Sequence, residues 1–192
     1  MTIFLATKNR HKIAEIAAIF QKKKYEFQTC WDYPEFSDLE APETGQTLEE
    51  NAREKALFWV KRIRLPVISD DTGLFVSSLG GEPGVYSSRF AGLNATYQEN
   101  VHLLLLKLSG IIERGAYFET VSLLCDPDGR EILGRGRLPG RISSKQAGSN
   151  GFGYDPVFLP DGYQKTLAEL TDAEKNSISH RYLAFMDLAS RI

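Results

Sequence analysis

The sequence predicts an α/β fold. Pro66-Val67-Ile68 is an apolar run that suits a strand covered on both faces, and it leads into two adjacent carboxylates, Asp70 and Asp71. Ile3 to Ala6 reads as a second short buried strand, and it feeds a polar turn and then a helical pattern. Tyr117 to Cys125 is rich in β-branched and aromatic residues, and Asp126-Pro127-Asp128-Gly129 turns the chain back into Glu131 to Gly136 as a hairpin. At 192 residues the chain fits one large domain, 1–192, with room for two small lobes.

Composition narrows the class. A hydrophobic content of 42% against 25% charged residues is enough to build a core without staples. The net charge of −2 argues against a duplex-binding surface, so no nucleic-acid partner is expected, although a local basic pocket is compatible with it. Cys30 and Cys125 lie far apart and match no metal or redox spacing, which reads as reduced thiols in a cytoplasm. Met1 to Ala6 is too short and soon too polar for a signal peptide. No apolar run approaches the ~20 residues that a membrane helix needs, so no membrane partner is expected.

After the first strand, Ile13, Ile16, Ala17 and Phe20 form one apolar stripe of a helix. Asn9 is its expected N-cap, which makes Lys12 the third helical residue. A helix start favours an anion, and Lys8, Arg10 and Lys12 add positive charge there. The stretch Thr7-Lys8-Asn9-Arg10-His11-Lys12 therefore suits a triphosphate cradle without P-loop glycines, or else a solvated helix start. Lys22 to Lys24 read as the solvated end of this helix, and Tyr25 to Thr29 as a second strand. Asp32 to Gly45 is acidic and Pro-containing, hence a loop. Thr47 and Glu50 form a capping box for the next helix, with Leu48, Ala52, Ala56, Val60 and Ile63 as its buried face. Asn51 and Lys55 lie one turn apart on a neighbouring face. Glu43, just before this helix, is either a second acid for a metal or a surface loop residue.

The Val67-Ile68 strand is expected to end at Asp70 and Asp71, where ligands bind in open α/β sheets. Two adjacent acids repel unless a cation or proton lies between them. Asp70-Asp71-Thr72-Gly73 thus suits a divalent metal with a base for water, and it equally suits a plain turn. Gly80 to Gly84 makes a tight turn, and Arg89 follows as a phosphate, dimer or plain surface residue. Thr96 and Glu99 cap a helix that buries Val101, Leu104, Leu105 and Leu108, and His102 in it receives no role. After the hairpin, Pro139 to Ser149 is loop-like. Glycines flank Phe152 in Gly151-Phe152-Gly153-Tyr154-Asp155, leaving space for a planar ligand on the ring, and Asp155 can accept from a ring N–H. A Gly-rich turn into a strand fits the same residues. Thr171 and Glu174 give another capping box, leading to Lys175. Ser179 is a suitable N-cap for a last helix that starts with His180 and Arg181 and buries Leu183, Met186 and Ala189.

Taken together, several of these segments resemble one family. They are Ala6-Thr7-Lys8-Asn9 with Lys12 and Glu15, Glu43-Thr44-Gly45, Glu50-Asn51-Ala52 with Lys55, Asp70-Asp71-Thr72-Gly73-Leu74, Gly81 to Arg89, Gly151 to Phe158, and Ser179-His180-Arg181. In this order they resemble the inosine triphosphate pyrophosphatases, the Ham1-like pyrophosphatases of non-standard purine nucleoside triphosphates, from residue 3 to about residue 185. The resemblance implies a long mixed central sheet with flanking helices, two lobes around a nucleotide cleft, and a homodimer. It implies Mg²⁺-assisted hydrolysis of ITP, dITP and XTP to the monophosphate and pyrophosphate. It places Thr7, Lys8, Asn9, Arg10, His11 and Lys12 on the phosphates, Glu43 and Asp71 at the metal, and Asp71 as base with Asp70 and Lys55 in support. Thr72 would touch the nucleotide, and Phe152, Gly153, Tyr154, Asp155, Lys175, His180 and Arg181 would form the base and ribose pocket.

The chain departs from the family pattern at Thr72, where Ser is common, at Pro42, where another acid often stands, and at the bulkier Arg10 and His11. Two other readings compete. A Maf-like pyrophosphatase for pyrimidine triphosphates is opposed by Phe152 to Asp155 with His180-Arg181. A non-catalytic nucleotide-binding module is opposed by Asp70, Asp71 and Lys12, since a binder needs no base.

Overall fold

The structure, a computed structural model, describes residues 1–21 and 25–192. The helix end expected at Lys22 to Lys24 lies outside the described residues. The fold is α/β, as the sequence predicts. Its strands are β1 (Thr2–Leu5), β2 (Glu26–Gln28), β3 (Val67–Val76), β4 (Pro83–Gly84), β5 (Gly115–Cys125), β6 (Glu131–Ile142) and β7 (Phe158–Pro160). Its α-helices among the described residues are α1 (Arg10–Phe20), α2 (Leu48–Ile63), α3 (Tyr97–Lys107), α4 (Asp172–Ile178) and α5 (His180–Ala189). The strands form one mixed sheet in the order β2-β1-β3-β5-β6-β7, with β4 on β3. The chain divides into two compact units, one of Met1–Asp71, Thr120–Gly136 and Arg181–Ile192, the other of Thr72–Glu119 and Arg137–His180.

In the first unit, β1 pairs in parallel with both β2 and β3, with Phe4 opposite Val67 and Leu5 opposite Ile68. Carried forward, that register sets Thr7 level with Asp70. Side chains alternate along β3, so Ile68 and Asp70 share one face and Ser69 and Asp71 the other. Ile68 packs with Ile3, Leu5, Ile16 and Phe20 and with Phe185 and Leu188, which puts α1 and α5 on its face. Ser69 donates through Oγ to the Ala52 carbonyl of α2 at 2.6 Å, which puts α2 on the opposite face. The buried stripe of α2 is Leu48, Asn51, Ala52, Lys55, Ala56, Trp59 and Val60, so Asn51 and Lys55 lie on the buried face itself. On α1, Ile16 and Phe20 are buried as expected, and Ala17 is exposed.

The last helix corrects the expected face. Leu183 and Met186 are exposed, whereas Ala184, Phe185 and Leu188 are fully buried along with His180 and Arg181. Residues 180, 181, 184, 185 and 188 lie on one helical stripe, so burial of the two polar residues rotates the apolar face by one position. α5 also approaches β6 closely. A Cβ on Gly134 would run into the Ala184 carbonyl and the Leu188 backbone, and the Ser122 hydroxyl donates to the same Ala184 carbonyl at 3.0 Å.

The second unit is built around Leu74, Val76, Val101, Leu104, Leu108, Phe118, Tyr154, Val157 and Phe158. β3 does not stop at the carboxylates but continues to Val76, pairing antiparallel with β4 at Leu74 and Gly84. The expected stop treated Asp70-Asp71-Thr72-Gly73 as a turn or strand end, whereas in the structure both carboxylates are buried within the strand beside cations, as described below. β6 likewise continues through Pro139 to Ile142, pairing antiparallel with β7 from Gly140 to Ile142. Of the expected loop from Pro139 to Ser149, only the part beyond Ile142 is irregular. The hairpin turn is as expected, closed by Asp126 and Gly129 backbone bonds. The capping boxes at Thr47, Thr96 and Thr171 all form.

Candidate active site

In the first unit, the capped start of α1 brings Lys12 inward. Asn9 Oδ1 accepts from the His11 and Lys12 amides at 2.9 and 3.4 Å, fixing the first turn. Lys12, at the third helical position, then reaches Asp70 Oδ2 at 2.8 Å. Arg10 is exposed over the Trp31 ring and His11 is exposed. Thr7 and Lys8 are half-buried, and Thr7 Oγ1 accepts from the Asn9 amide at 3.2 Å.

Asp70 is surrounded by cations on the α1 and α5 face. Besides Lys12, the Arg181 guanidinium lies 3.6 Å from Oδ2 and is itself ion-paired to Glu15. Burial alone would raise the Asp70 carboxyl, but Lys12, Arg181 and Lys55 outweigh it and hold the group well below the usual carboxylate range. Burial lowers the Lys12 ammonium, which Asp70 opposes and Arg181 and Lys55 reinforce.

Asp71 faces the other way and meets α2. Asn51 Nδ2 donates to its Oδ2 at 2.9 Å, and Lys55 Nζ lies 3.6 Å from its Oδ1. The same Lys55 Nζ bonds Glu43 Oε1 at 2.6 Å, so two carboxylates converge on one cation. Burial raises the Asp71 carboxyl, and Lys55 and Lys12 only partly oppose it, so the group ends above its ordinary value. Burial would lower Lys55, but Asp71, Glu43 and Asp70 raise it overall. The two adjacent acids thus point to opposite faces of β3, Asp70 nearest Lys12 and Arg181 and Asp71 nearest Lys55, while Lys12 and Lys55 act on both. Among the described residues, no group of three or more His, Cys, Asp or Glu is arranged to hold a metal ion.

In the second unit, Asp155 organises the Gly-rich turn. Its Oδ2 accepts from the Phe152 amide and from Lys175 Nζ, both at 2.8 Å. Lys175 Nζ also lies 4.7 Å from the Phe152 ring centroid. Gly151 has φ +75°, and a Cβ there would collide with the Asp155 carboxylate, so glycine is required at this point. Gly153 has φ +63° and open space beside it. Tyr154 points into the core and donates to the Ser87 carbonyl at 2.8 Å, with burial pushing its phenol up. His180 is buried and stacked on Phe118, with ring centroids 4.5 Å apart and planes at 18°. Thr72 is half-buried on β3.

The structure thus gathers Lys12, Glu43, Lys55, Asp70, Asp71 and Arg181 in one unit, and Phe152, Asp155 and Lys175 in the other. Sequence reasoning gave no site role to three partners: Asn51, which holds Asp71; Glu15, which holds Arg181; and Phe118, which carries His180. The available signal was the polar residue on a buried helical stripe, Asn51 beside Ala52 and Lys55 beside Ala56.

A family model described as the Ham1 family matches residues 3–191. The chain is 48% identical to a dITP/XTP pyrophosphatase of Thermoanaerobacter pseudethanolicus, over 100% of this chain and 96% of that protein. It is 46% identical to a dITP/XTP pyrophosphatase of Elusimicrobium minutum, with 100% of both covered. Among solved structures, it is similar to a Ham1 protein from Coxiella burnetii, with a TM-score of 0.90, 37% identity and coverage of 100% and 98%.

Proposed function

The chain belongs to the Ham1 family, and from that premise we propose that it hydrolyses dITP, ITP and XTP to the nucleoside monophosphate and pyrophosphate, with Asp71 as the base that activates water. The observation that carries this reading is the opposite treatment of two neighbouring carboxylates. Asp70 is held ionised among Lys12, Arg181 and Lys55, and Asp71 is pushed toward taking a proton. Environments that drive two titratable groups apart are how acid–base roles are assigned. Asp71 accepts the proton of the attacking water. Asp70 stays charged and fixes Lys12, and Lys12 and Lys55 bring positive charge to the phosphates.

Glu43 and Asp71 fit a Mg²⁺ ion. They are hard oxygen donors that already converge on a cation, and Mg²⁺ asks for one or two carboxylates with phosphate oxygens and water completing its shell. Held by these two carboxylates, such an ion would supply positive charge to the triphosphate and to the departing pyrophosphate. Thr7 to Lys12 hold the phosphates and Thr72 touches the nucleotide. Phe152, Gly153 and Asp155 with Lys175 take the base, while Tyr154, turned into the core, braces the turn from behind, and Phe118 orients the His180 ring. A donor from His180 or Arg181 favours the C6 carbonyl of hypoxanthine and xanthine over the amino group of adenine. The proposal includes a homodimer and a cytoplasmic setting, for which the free, buried Cys30 and Cys125 suit a reducing compartment.

The test is product identity. With Mg²⁺ and ITP, the protein should release IMP and pyrophosphate rather than IDP and orthophosphate. Asp71→Asn should keep nucleotide binding and lose turnover by about 10²–10⁴-fold. Orthophosphate as the product, or full turnover by Asp71→Asn, contradicts the reading.

A further inference from the structure

Asn51 is wholly buried on α2, between the turn that carries Glu43 and the Asp71 carboxylate. Its Oδ1 accepts from the Gly45 amide at 2.8 Å, and its Nδ2 donates to Asp71 Oδ2 at 2.9 Å. An amide N–H can be met only by the carboxamide oxygen, so the Gly45 contact fixes which end of Asn51 is which. The nitrogen must then face Asp71. That bond ties down Oδ2 and leaves Oδ1 directed toward Lys55.

The Gly45 end is held just as firmly. Thr44 donates through N and Oγ1 to the Glu54 carboxylate, both at 2.7 Å, and the Gln46 amide donates to Glu50 at 2.7 Å. A Cβ on Gly45 would lie 2.5 Å from Glu50 Cβ and 2.9 Å from Asn51 Oδ1, so the turn can approach the carboxamide only as glycine. A residue needed only to satisfy the Gly45 amide would use one end of the carboxamide, whereas Asn51 uses both.

We propose that Asn51 is a positioning residue for catalysis: one carboxamide sets the Asp71 carboxylate and the Glu43 turn in a fixed mutual geometry. This rests on the reading of Asp71 as the base. Asn51 touches no substrate and acts through Asp71.

The experiment compares Asn51→Asp, Asn51→Ser and Asp71→Asn with the wild type, together with the double variants that pair each Asn51 change with Asp71→Asn. Asn51→Asp keeps the shape and the acceptor for Gly45 but replaces the donor facing Asp71. Thermal melting checks the fold, and pyrophosphate release from ITP with Mg²⁺ gives kcat and KM. Each single Asn51 variant should lose about 10–100-fold in kcat, the range seen when a supporting partner of a reacting group is removed. At saturating Mg²⁺, where any loss of metal affinity is masked, KM should stay within about threefold, because Asn51 itself makes no contact with the nucleotide. In the Asp71→Asn background the same changes should cost nothing further.

Wild-type kcat in both Asn51 variants, with Asp71→Asn inactive, overturns the proposal while leaving the base assignment standing. So do equal multiplicative losses in the double variants. Failure of both Asn51 variants to fold also overturns it, because the amide is then a folding residue. Full activity of Asp71→Asn removes the base assignment instead, and the two failures are told apart by that one variant.

Discussion

Burial alone would push both Asp70 and Asp71 toward the neutral form, and the cations near each decide the outcome. Asp70 has Lys12 at 2.8 Å and Arg181 at 3.6 Å on its Oδ2, whereas the cation paired with Asp71, Lys55 at 3.6 Å, is shared with Glu43 and Lys12 acts on it from farther off. Stability linkage follows with a definite sign. A carboxylate whose folded pKa lies below its ordinary 3.8 contributes stability that is present above that value and lost as pH falls through the folded one. Asp70→Asn should therefore melt well below the wild type at neutral pH, by about 3–5 kcal/mol, since it strands buried cations. The gap should narrow as pH drops below 3.8, and melting curves across that range check it. A gap that widens in acid contradicts the assignment. At this scale the Asn9 cap and the third helical position of Lys12 were legible, because capping rules act over three or four residues, whereas its pairing with Asp70 was not. The Asn51–Asp71 and Glu15–Arg181 contacts were not, because they join residues 20 and 166 positions apart that no local pattern links.

Helices and strands were legible where polar residues stay at the surface. The α2 capping box and the β5–β6 turn follow their local signals. The errors fell where polar groups are buried. β3 runs through Asp70 and Asp71, whose carboxylates meet buried cations on both faces of the strand. α5 turns Phe185 inward because His180 and Arg181 occupy its buried stripe. Phe185→Ala should cost about 3–5 kcal/mol in unfolding free energy, the range for emptying an aromatic core site. Met186→Ala, on the exposed side, should stay within about 0.5 kcal/mol. Urea titrations of the two variants settle which face is buried, and the reverse order would restore the periodicity reading.

For the molecule as a whole, the α/β class and the family were legible because seven short segments in fixed order carry the resemblance and the family match spans residues 3–191. The bounds of the two units were not, since they cut through β3, β5, β6 and α5 rather than through linkers. The proposed activity rests on a choice of non-standard purine triphosphates. The most direct measurement of that claim is a substrate panel. With Mg²⁺, pyrophosphate release should be far faster from ITP and XTP than from ATP and GTP, by 10²-fold or more if donors and acceptors around the base set the choice, since mispaired buried polar groups discriminate by about 10⁴–10⁵ at best. Equal rates on all four nucleotides, or no release from any, would contradict it.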